Sequence, residues 1–305
     1  MSKVIFYDKI KKIMTLSIII VNWQTKDLLK KCLESIFCYA KNIDYELIVI
    51  DNSSTDHSSK FLSNLKPQTA NFKIILNDRN FGFAKAVNQG IKLSRGKYIL
   101  LLNPDTEIKE GTLQKMIKFM EDHLQIGISG GKILNSDGTI QLSVRRFPDF
   151  LSQVFVLLKF HHFLKNFSPI RRYFALDFDY EKTQEVDQVM GSFFMMRKKM
   201  IDEIGLFDEK FFLWFEEVDF CFRAKKAGWQ IYYYPDAEII HQKAASFSQI
   251  LPLKNQWQFN KSLLYYFRKH HSFLSYFILL VISPLSLIFS LIISIFPLIK
   301  RFKKL

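Results

Sequence analysis

Three carboxylates fall within four residues at Glu216, Glu217 and Asp219, framed by Phe211, Phe212, Trp214 and Phe215 before and Phe220 and Phe222 after. Carboxylates crowded in an apolar setting raise one another's pKa, and a carboxylate poised near neutrality is a general base. An exposed acidic helix start has the same composition; the aromatic frame favours the base. Asp105 follows the apolar run 98–102 in the turn Asn103-Pro104-Asp105-Thr106. A carboxylate at the exit of a buried strand is placed to hold Mg2+ or Mn2+, which take oxygen ligands and keep waters and substrate phosphates. A turn with an Asp cap uses the same residues. Asp51 opens a polar string, Asp51-Asn52-Ser53-Ser54-Thr55-Asp56, after another apolar run. There it can accept from a base N–H or a ribose hydroxyl, or close an Asx turn. In Asn80-Phe81-Gly82, with Asn88 further on, the glycine allows close backbone approach to a ligand, and Arg79 can neutralise phosphate. A plain loop-to-helix entry is the simpler alternative. His241, after Ile239-Ile240, is a candidate metal ligand, although a lone histidine at a strand end more often supports structure.

These residues need elements to hold them. Residues 16–22 (LSIIIVN), 45–50 (YELIVI) and 98–102 (YILLL) are apolar throughout, the pattern of strands buried on both faces. Residues 72–76 form a shorter strand, and 126–129 another before Gly130-Gly131. Helical periodicity runs over 27–39, 83–93 and 111–123. Strand and helix alternate, which predicts an α/β fold with a mostly parallel sheet and flanking helices. Ligands bind such sheets beyond the carboxyl ends of the strands, where Asn22, Asp51 and Asp105 should converge. Further along, 189–197, 231–234 and 239–241 read as strands. No solenoid-period repeat is present.

The 305 residues include 43 Lys and Arg against 29 Asp and Glu, a net charge of +14, with 49% hydrophobic residues. Such a chain buries a full core, which excludes general disorder. Three cysteines make no disulfide framework and fit a reducing compartment. The positive charge suits nucleic acid or an anionic membrane. The basic residues sit beside apolar segments, so the membrane is favoured and nucleic acid is not. Residues 272–299 carry no charge, and a helix of that length is about 42 Å long, enough to cross a bilayer with tilt. Basic residues flank it on both sides, so a single crossing leaves one cluster on the unfavoured side. A kink at Pro284 offers a re-entrant hairpin instead. Residues 151–174 mix apolar side chains with Lys159, Lys165, Arg171 and Arg172, as in a helix lying on a membrane surface or one covering the core. The domain reading is an extension over 1–14 outside the fold, a catalytic domain over 15–247 with an amphipathic insert at 151–174, a basic and aromatic linker over 248–271, the membrane segment 272–299 and a basic tail 300–305. Residues 1–14 lack the long apolar core of a signal peptide.

Taken in order, SIIIVNWQT (17–25), VIDNSSTD (49–56), NFGFAKAVNQGI (80–91), LLNPDTEI (101–108), the stretch 191–229 and the pair His241 and Ser246 resemble glycosyltransferase family 2, inverting enzymes of GT-A fold, and most closely its rhamnosyltransferase-like members. The resemblance covers about 15–247. It implies a nucleotide-diphospho-sugar transferase fold and a dTDP- or UDP-linked sugar donor. By resemblance Asp51 contacts the base or ribose, and Asp56 belongs to the same loop of the donor site. Val21, Asn22, Ser53, Arg79, Asn80, Gly82, Asn88, Asn103 and Gly191 line the donor site, and Asp105 with His241 holds Mg2+ or Mn2+. The family's Glu-Asp base pair stands here as Glu216-Glu217, so the second carboxylate reaches one methylene further. Asn103 occupies the first acidic position of the DxD-like motif, which implies weaker intrinsic metal binding. The apolar tail points to a saccharide acceptor linked to polyprenyl diphosphate at the cytoplasmic face of the membrane, as in cell-envelope polysaccharide or O-antigen assembly. Dehydrogenases and P-loop enzymes are excluded for want of GxGxxG and GxxxxGK. A nucleotidyltransferase, or a membrane protein that binds nucleotide sugars without transfer, is the alternative.

Overall fold

The computed structural model describes residues 2–7, 14–65, 71–242 and 252–295. Strands β1 (Lys3–Tyr7) and β2 (Met14–Asn22) are followed by α1 (Lys26–Tyr39), β3 (Tyr45–Asp51), α2 (Ser58–Asn64), β4 (Phe72–Leu76), α3 (Phe83–Leu93) and β5 (Gly96–Leu102). Next come β6 (Thr106–Ile108), α4 (Thr112–Asp122), β7 (Ile126–Leu134), β8 (Val144–Arg145), α5 (Phe150–Leu157) and α6 (Ser168–Tyr173). Then follow β9 (Gln184–Glu185), β10 (Gln188–Val189), β11 (Phe193–Arg197), α7 (Lys198–Ile204), α8 (Glu216–Lys226), β12 (Gln230–His241), α9 (Pro252–His270) and α10 (Phe273–Ile295).

One large sheet runs β1-β4-β3-β2-β5-β11-β7-β12-β6. Its first half is the expected parallel array β4-β3-β2-β5. Alternation along β2 divides the core: Ile18 and Ile20 face α1 and α4, while Ile19 faces α3 and α7. Each such fully buried aliphatic contributes about 1.5–3 kcal/mol. β11 then enters antiparallel between β5 and β7, with Phe193 opposite Leu102. That reversal brings residues 191–192 beside the exit of β5, and Asn103 N donates to Ser192 O at 3.1 Å. At the opposite end of the sheet, buried Glu46 accepts from Ser17 Oγ at 2.6 Å and from Lys73 Nζ at 2.7 Å, an internal charge kept paired.

Three expectations change. Residues 3–7 do not stand outside the fold: β1 pairs antiparallel with β4 and covers what was the sheet's edge. The stretch 151–174 is broken into α5, a 3-10 turn at Phe160–His162 and α6. Lys159, at φ 61°, ends the first piece. Within it Leu157 is core, while Phe160, Phe163, Leu164 and Phe167 are exposed. The expected linker is largely the 19-residue helix α9, whose Leu263, Tyr266 and Phe267 form a third core with Leu157, Phe211, Phe215 and Leu279. Of the two readings left open for the apolar segment, the structure has the continuous helix: α10 runs unbroken through Pro284. Proline removes a helical N–H and frees a carbonyl, which Ser283 Oγ satisfies by donating to Leu280 O at 3.0 Å. Asn260 of α9 donates to Ser283 O at 2.9 Å and fixes the two helices together. Residues 273–292 are long and apolar enough to cross a membrane, and Phe273, Leu274, Phe277, Val281 and Ile288 are exposed on them. The basic tail and Ser246 lie outside the described residues.

Candidate active site

Asp105 and His241 meet at the carboxyl end of the sheet. β5 ends in a tight turn, closed by Thr106 Oγ1 donating to Asn103 O at 2.7 Å. The end of β12 pairs with β6, His241 opposite Thr106. This brings His241 Nε2 to 3.2 Å from Asp105 Oδ1, with both side chains buried. Gln141 Oε1 accepts from His241 Nδ1 at 2.7 Å, and Gln141 Nε2 donates to Asn135 Oδ1 at 2.9 Å, which fixes the amide's orientation. With Nδ1 turned to Gln141, Nε2 is the ring nitrogen that faces the Asp105 carboxylate. Two Lewis bases at this distance fit a shared divalent cation, with Gln141 as the outer support that orients the ring. No third His, Cys, Asp or Glu joins them among the described residues, which leaves the other positions to water and phosphate oxygens.

The loops after β2, β3 and β4 form one polar lattice. Asn22, opposite Asp51 in the sheet, donates to Asp51 Oδ1 at 2.8 Å and accepts from Thr25 Oγ1 at 2.7 Å. Ser54 donates its Oγ to Asp51 Oδ1 at 2.6 Å and its N to Oδ2 at 3.1 Å. Asp51 thus makes the Asx-type closure and still keeps acceptor capacity on Oδ2. Asn52 links this loop to the next: its Nδ2 donates to Asn80 Oδ1 and Gly82 O, and its Oδ1 accepts from Phe81 N and Asn77 Nδ2. Ser53, at φ 65°, donates to Asp78 O at 3.4 Å, and Arg79 lies over the Phe81 ring at 4.9 Å. Val21 is half-buried beside Ile50 in the sheet register. Gly82 (φ 84°) does not make room for a ligand as expected: a Cβ there meets Phe212 O at 2.6 Å, and Phe83 N donates to that oxygen at 2.7 Å. The glycine docks this loop onto the segment that leads to Glu216. Gly82→Ala should cost about 1–3 kcal/mol through overpacking and strain, read as a lower urea midpoint; an unchanged midpoint sinks the account.

Two consecutive left-handed residues, Trp214 (φ 71°) and Phe215 (φ 68°), deliver the chain into α8. Each costs about 1–3 kcal/mol and persists only where surroundings impose it. Here α9 does so: Ser262 Oγ donates to Leu213 O at 2.7 Å, and Trp214 Nε1 donates to Asn255 Oδ1 at 3.2 Å. Glu216 and Glu217 then open the helix, and Oε2 of each is buried without a hydrogen-bond partner. Burial raises the pKa of both, and the Glu217 charge raises Glu216 further, while Arg145 opposes the rise at Glu217. Glu216 is buried and Glu217 half-buried.

The profile of the family described as Glycosyl transferase family 2 matches residues 17–205, more than half of the chain. The chain belongs to glycosyl transferase family 2. An N-acetylglucosaminyl-diphospho-decaprenol L-rhamnosyltransferase of Mycobacterium tuberculosis is 26% identical over 66% of this chain and 67% of its own length. The rhamnosyltransferase WbbL of Escherichia coli is 27% identical over 73% of this chain and 92% of its own. Among solved structures, S. aureus TarS residues 1–349 superimpose at TM-score 0.51 with 15% identity, over 84% of this chain and 73% of that one. GalNAc-T7 with UDP, GalNAc and Mn2+ superimposes at TM-score 0.57 with 15% identity, over 76% of this chain and 44% of that larger one. At these identities the structural likeness establishes the GT-A-like fold alone.

Within this glycosyltransferase, three expected site residues are committed elsewhere. Asp219 is buried and holds Arg223 Nε at 2.9 Å, Lys269 Nζ at 2.7 Å and His270 Nε2 at 2.7 Å. Despite burial, these partners hold its carboxyl down at about 2, far too acidic for a base. Asp56 spends Oδ2 on Lys26 N at 2.8 Å and Oδ1 on Ser58 N at 3.0 Å, so it ties the loop after β3 to the start of α1. Asn88 is buried, donates to Phe207 O at 2.9 Å and accepts from Phe207 N at 3.1 Å. The side chain of Asn103 makes no hydrogen bond among the described residues, and a Cβ on Gly191 meets nothing within 4 Å. Sequence reasoning passed over Asn52, Gln141 and Arg145. Only Asn52 left a signal, its place in the polar string after β3.

Proposed function

We propose that this glycosyltransferase moves a hexose, rhamnose among the candidates, from a dTDP- or UDP-linked donor to a saccharide on polyprenyl diphosphate, with inversion, in cell-envelope polysaccharide synthesis at the membrane surface. The observation that carries the reading is the pairing of His241 Nε2 with Asp105 Oδ1 at the sheet end where the Asp51 loop and the Glu217 helix also begin. The printed activities of the mycobacterial and E. coli relatives support the sugar and acceptor class. The exposed apolar face of α10 supports membrane association.

In this reading Asp51 Oδ2 accepts from the base or ribose, and Asn22 with Ser54 holds that carboxylate in place. Asp105 and His241 hold Mg2+ or Mn2+, which when bound supplies positive charge against the leaving diphosphate. Glu217 takes the proton from the acceptor hydroxyl as that oxygen attacks the anomeric carbon from the face opposite the diphosphate, and the configuration inverts. Glu216 serves as its buried neighbour, whose carboxyl burial and the Glu217 charge push up. A thermal-shift screen of nucleotide sugars with and without Mn2+ tests the donor assignment. One dTDP- or UDP-sugar should raise Tm strongly only with Mn2+; equal responses to ADP- and GDP-sugars contradict it.

A further inference from the structure

A cavity of about 540 Å³ opens between α6 and the β8–β10 pair, and Arg146, Arg171 and Arg172 line it. None of the three guanidinium groups makes an ion pair or hydrogen bond among the described residues. Arg197 and Arg223, by contrast, are bound by backbone carbonyls and, for Arg223, Asp219. Asn166 adds an amide donor to the cavity. Two carboxylates share the lining. Asp187 already accepts from Phe147 N at 3.1 Å and Lys225 Nζ at 3.4 Å, which leaves Asp177 against three cations. Three unmatched guanidinium forks around one cavity suit phosphate oxygens, which they bind bidentately.

The wall of the cavity says what carries that phosphate. The segment leading to Asn166 exposes Phe160, Phe163 and Leu164, and Phe167 follows it. Upstream, α5 packs on α10 and joins its Leu157 to Leu279 in one core. Charged cavity and apolar belt are thus adjacent, the two halves of an amphiphile's footprint. The strip that lines the cavity also carries a charge felt at Glu217. Arg145 stacks on Phe174 at 4.9 Å and acts electrostatically on Glu217, while Arg146, the next residue, lines the cavity. Arg146 N donates to Tyr173 O at 3.0 Å and fixes α6 to this strip.

We propose that the Arg146, Arg171 and Arg172 cavity binds a phosphate or diphosphate carried on a lipid, with the hydrocarbon chain lying on the 160–167 belt. The assignment to the acceptor's diphosphate rests on the transferase reading above. The test compares the full chain in detergent with Arg171→Gln/Arg172→Gln and with Lys165→Gln, an exposed cation outside the cavity. Farnesyl diphosphate, farnesol and inorganic diphosphate are titrated against each. Farnesyl diphosphate should bind the natural chain and lose ten-fold or more in the double variant, but less than two-fold in Lys165→Gln; farnesol should not bind. Both changes are at exposed positions, and unchanged Tm verifies folding. Displacement by phosphatidylglycerol vesicles, and not by phosphatidylcholine vesicles, assigns the site to bulk anionic lipid; resistance to both assigns it to the prenyl diphosphate. Equal affinity in the double variant overturns the cavity. In transfer assays the double variant should raise the acceptor KM with donor KM unchanged. Arginine-dependent binding by a chain that takes no nucleotide sugar overturns the transferase reading and leaves the cavity standing.

Discussion

Glu217→Gln should lower kcat about 10²–10⁴-fold, the usual contribution of a positioned general base, with donor affinity unchanged. The amide keeps the shape of the side chain and loses only the ability to take a proton. Glu216→Gln should cost far less, because burial and the Glu217 charge both push the Glu216 carboxyl up and so disfavour its ionised, proton-accepting form. The pH profile separates the two carboxylates. Burial raises Glu217, so the acid limb of kcat should lie above the ordinary carboxylate range of about 4.3. Activity rises as pH rises through that raised pKa, since the base works only when ionised. The Arg145 charge opposes the rise, so Arg145→Gln should move the limb to higher pH. Full activity in Glu217→Gln, or a limb unmoved in Arg145→Gln, removes Glu217 from the role.

The parallel half of the sheet was legible because its strands are buried on both faces, which forces unbroken apolar runs such as Ile18-Ile19-Ile20. Residues 72–76 and 83–93 coincide with β4 and α3 for the same reason: their packing alone sets their pattern. The helix α9 was not legible. Its inward face carries Gln256, Asn260 and Ser262, which bond to α10 and to Leu213, so the apolar period is interrupted where the helix is most buried. Pro284 left helix and hairpin both open, since a break in an apolar run gives no hint that Ser283 supplies the missing hydrogen bond.

The candidate site divides along a similar line. A polar residue in a loop motif serves either a ligand or the protein's own backbone, and sequence alone does not say which. Asp51 and Asp105 retain acceptor capacity; Asp56 and Asn88 spend theirs on Lys26, Ser58 and Phe207. Gln141 was invisible because nothing in its own stretch marks it. It matters only once β12 brings His241, 100 residues away, within 2.7 Å.

Asp105→Asn should reduce kcat about 10²–10³-fold, the scale lost when one stabiliser of developing charge is removed. The substitution keeps an oxygen but removes the negative charge that, beside the His241 ring nitrogen, gives the pair its attraction for a cation. Little else is there: among the described residues the Asn103 side chain, two positions before Asp105, is an uncharged amide with no hydrogen bond. One carboxylate and one imidazole should bind Mn2+ weakly, because hard divalent cations rely on anionic oxygens. Mn2+ alone should therefore shift Tm little, and Mn2+ with UDP or dTDP much more, since the diphosphate brings the missing oxygens. Asn103→Asp should reverse that order and give a nucleotide-independent Mn2+ response. A large shift with Mn2+ alone in the natural chain, abolished by Asp105→Asn, means the protein holds its metal unaided and the donor is not the carrier. No Mn2+ response with any nucleotide, together with full activity in EDTA, removes the metal role from His241 and Asp105.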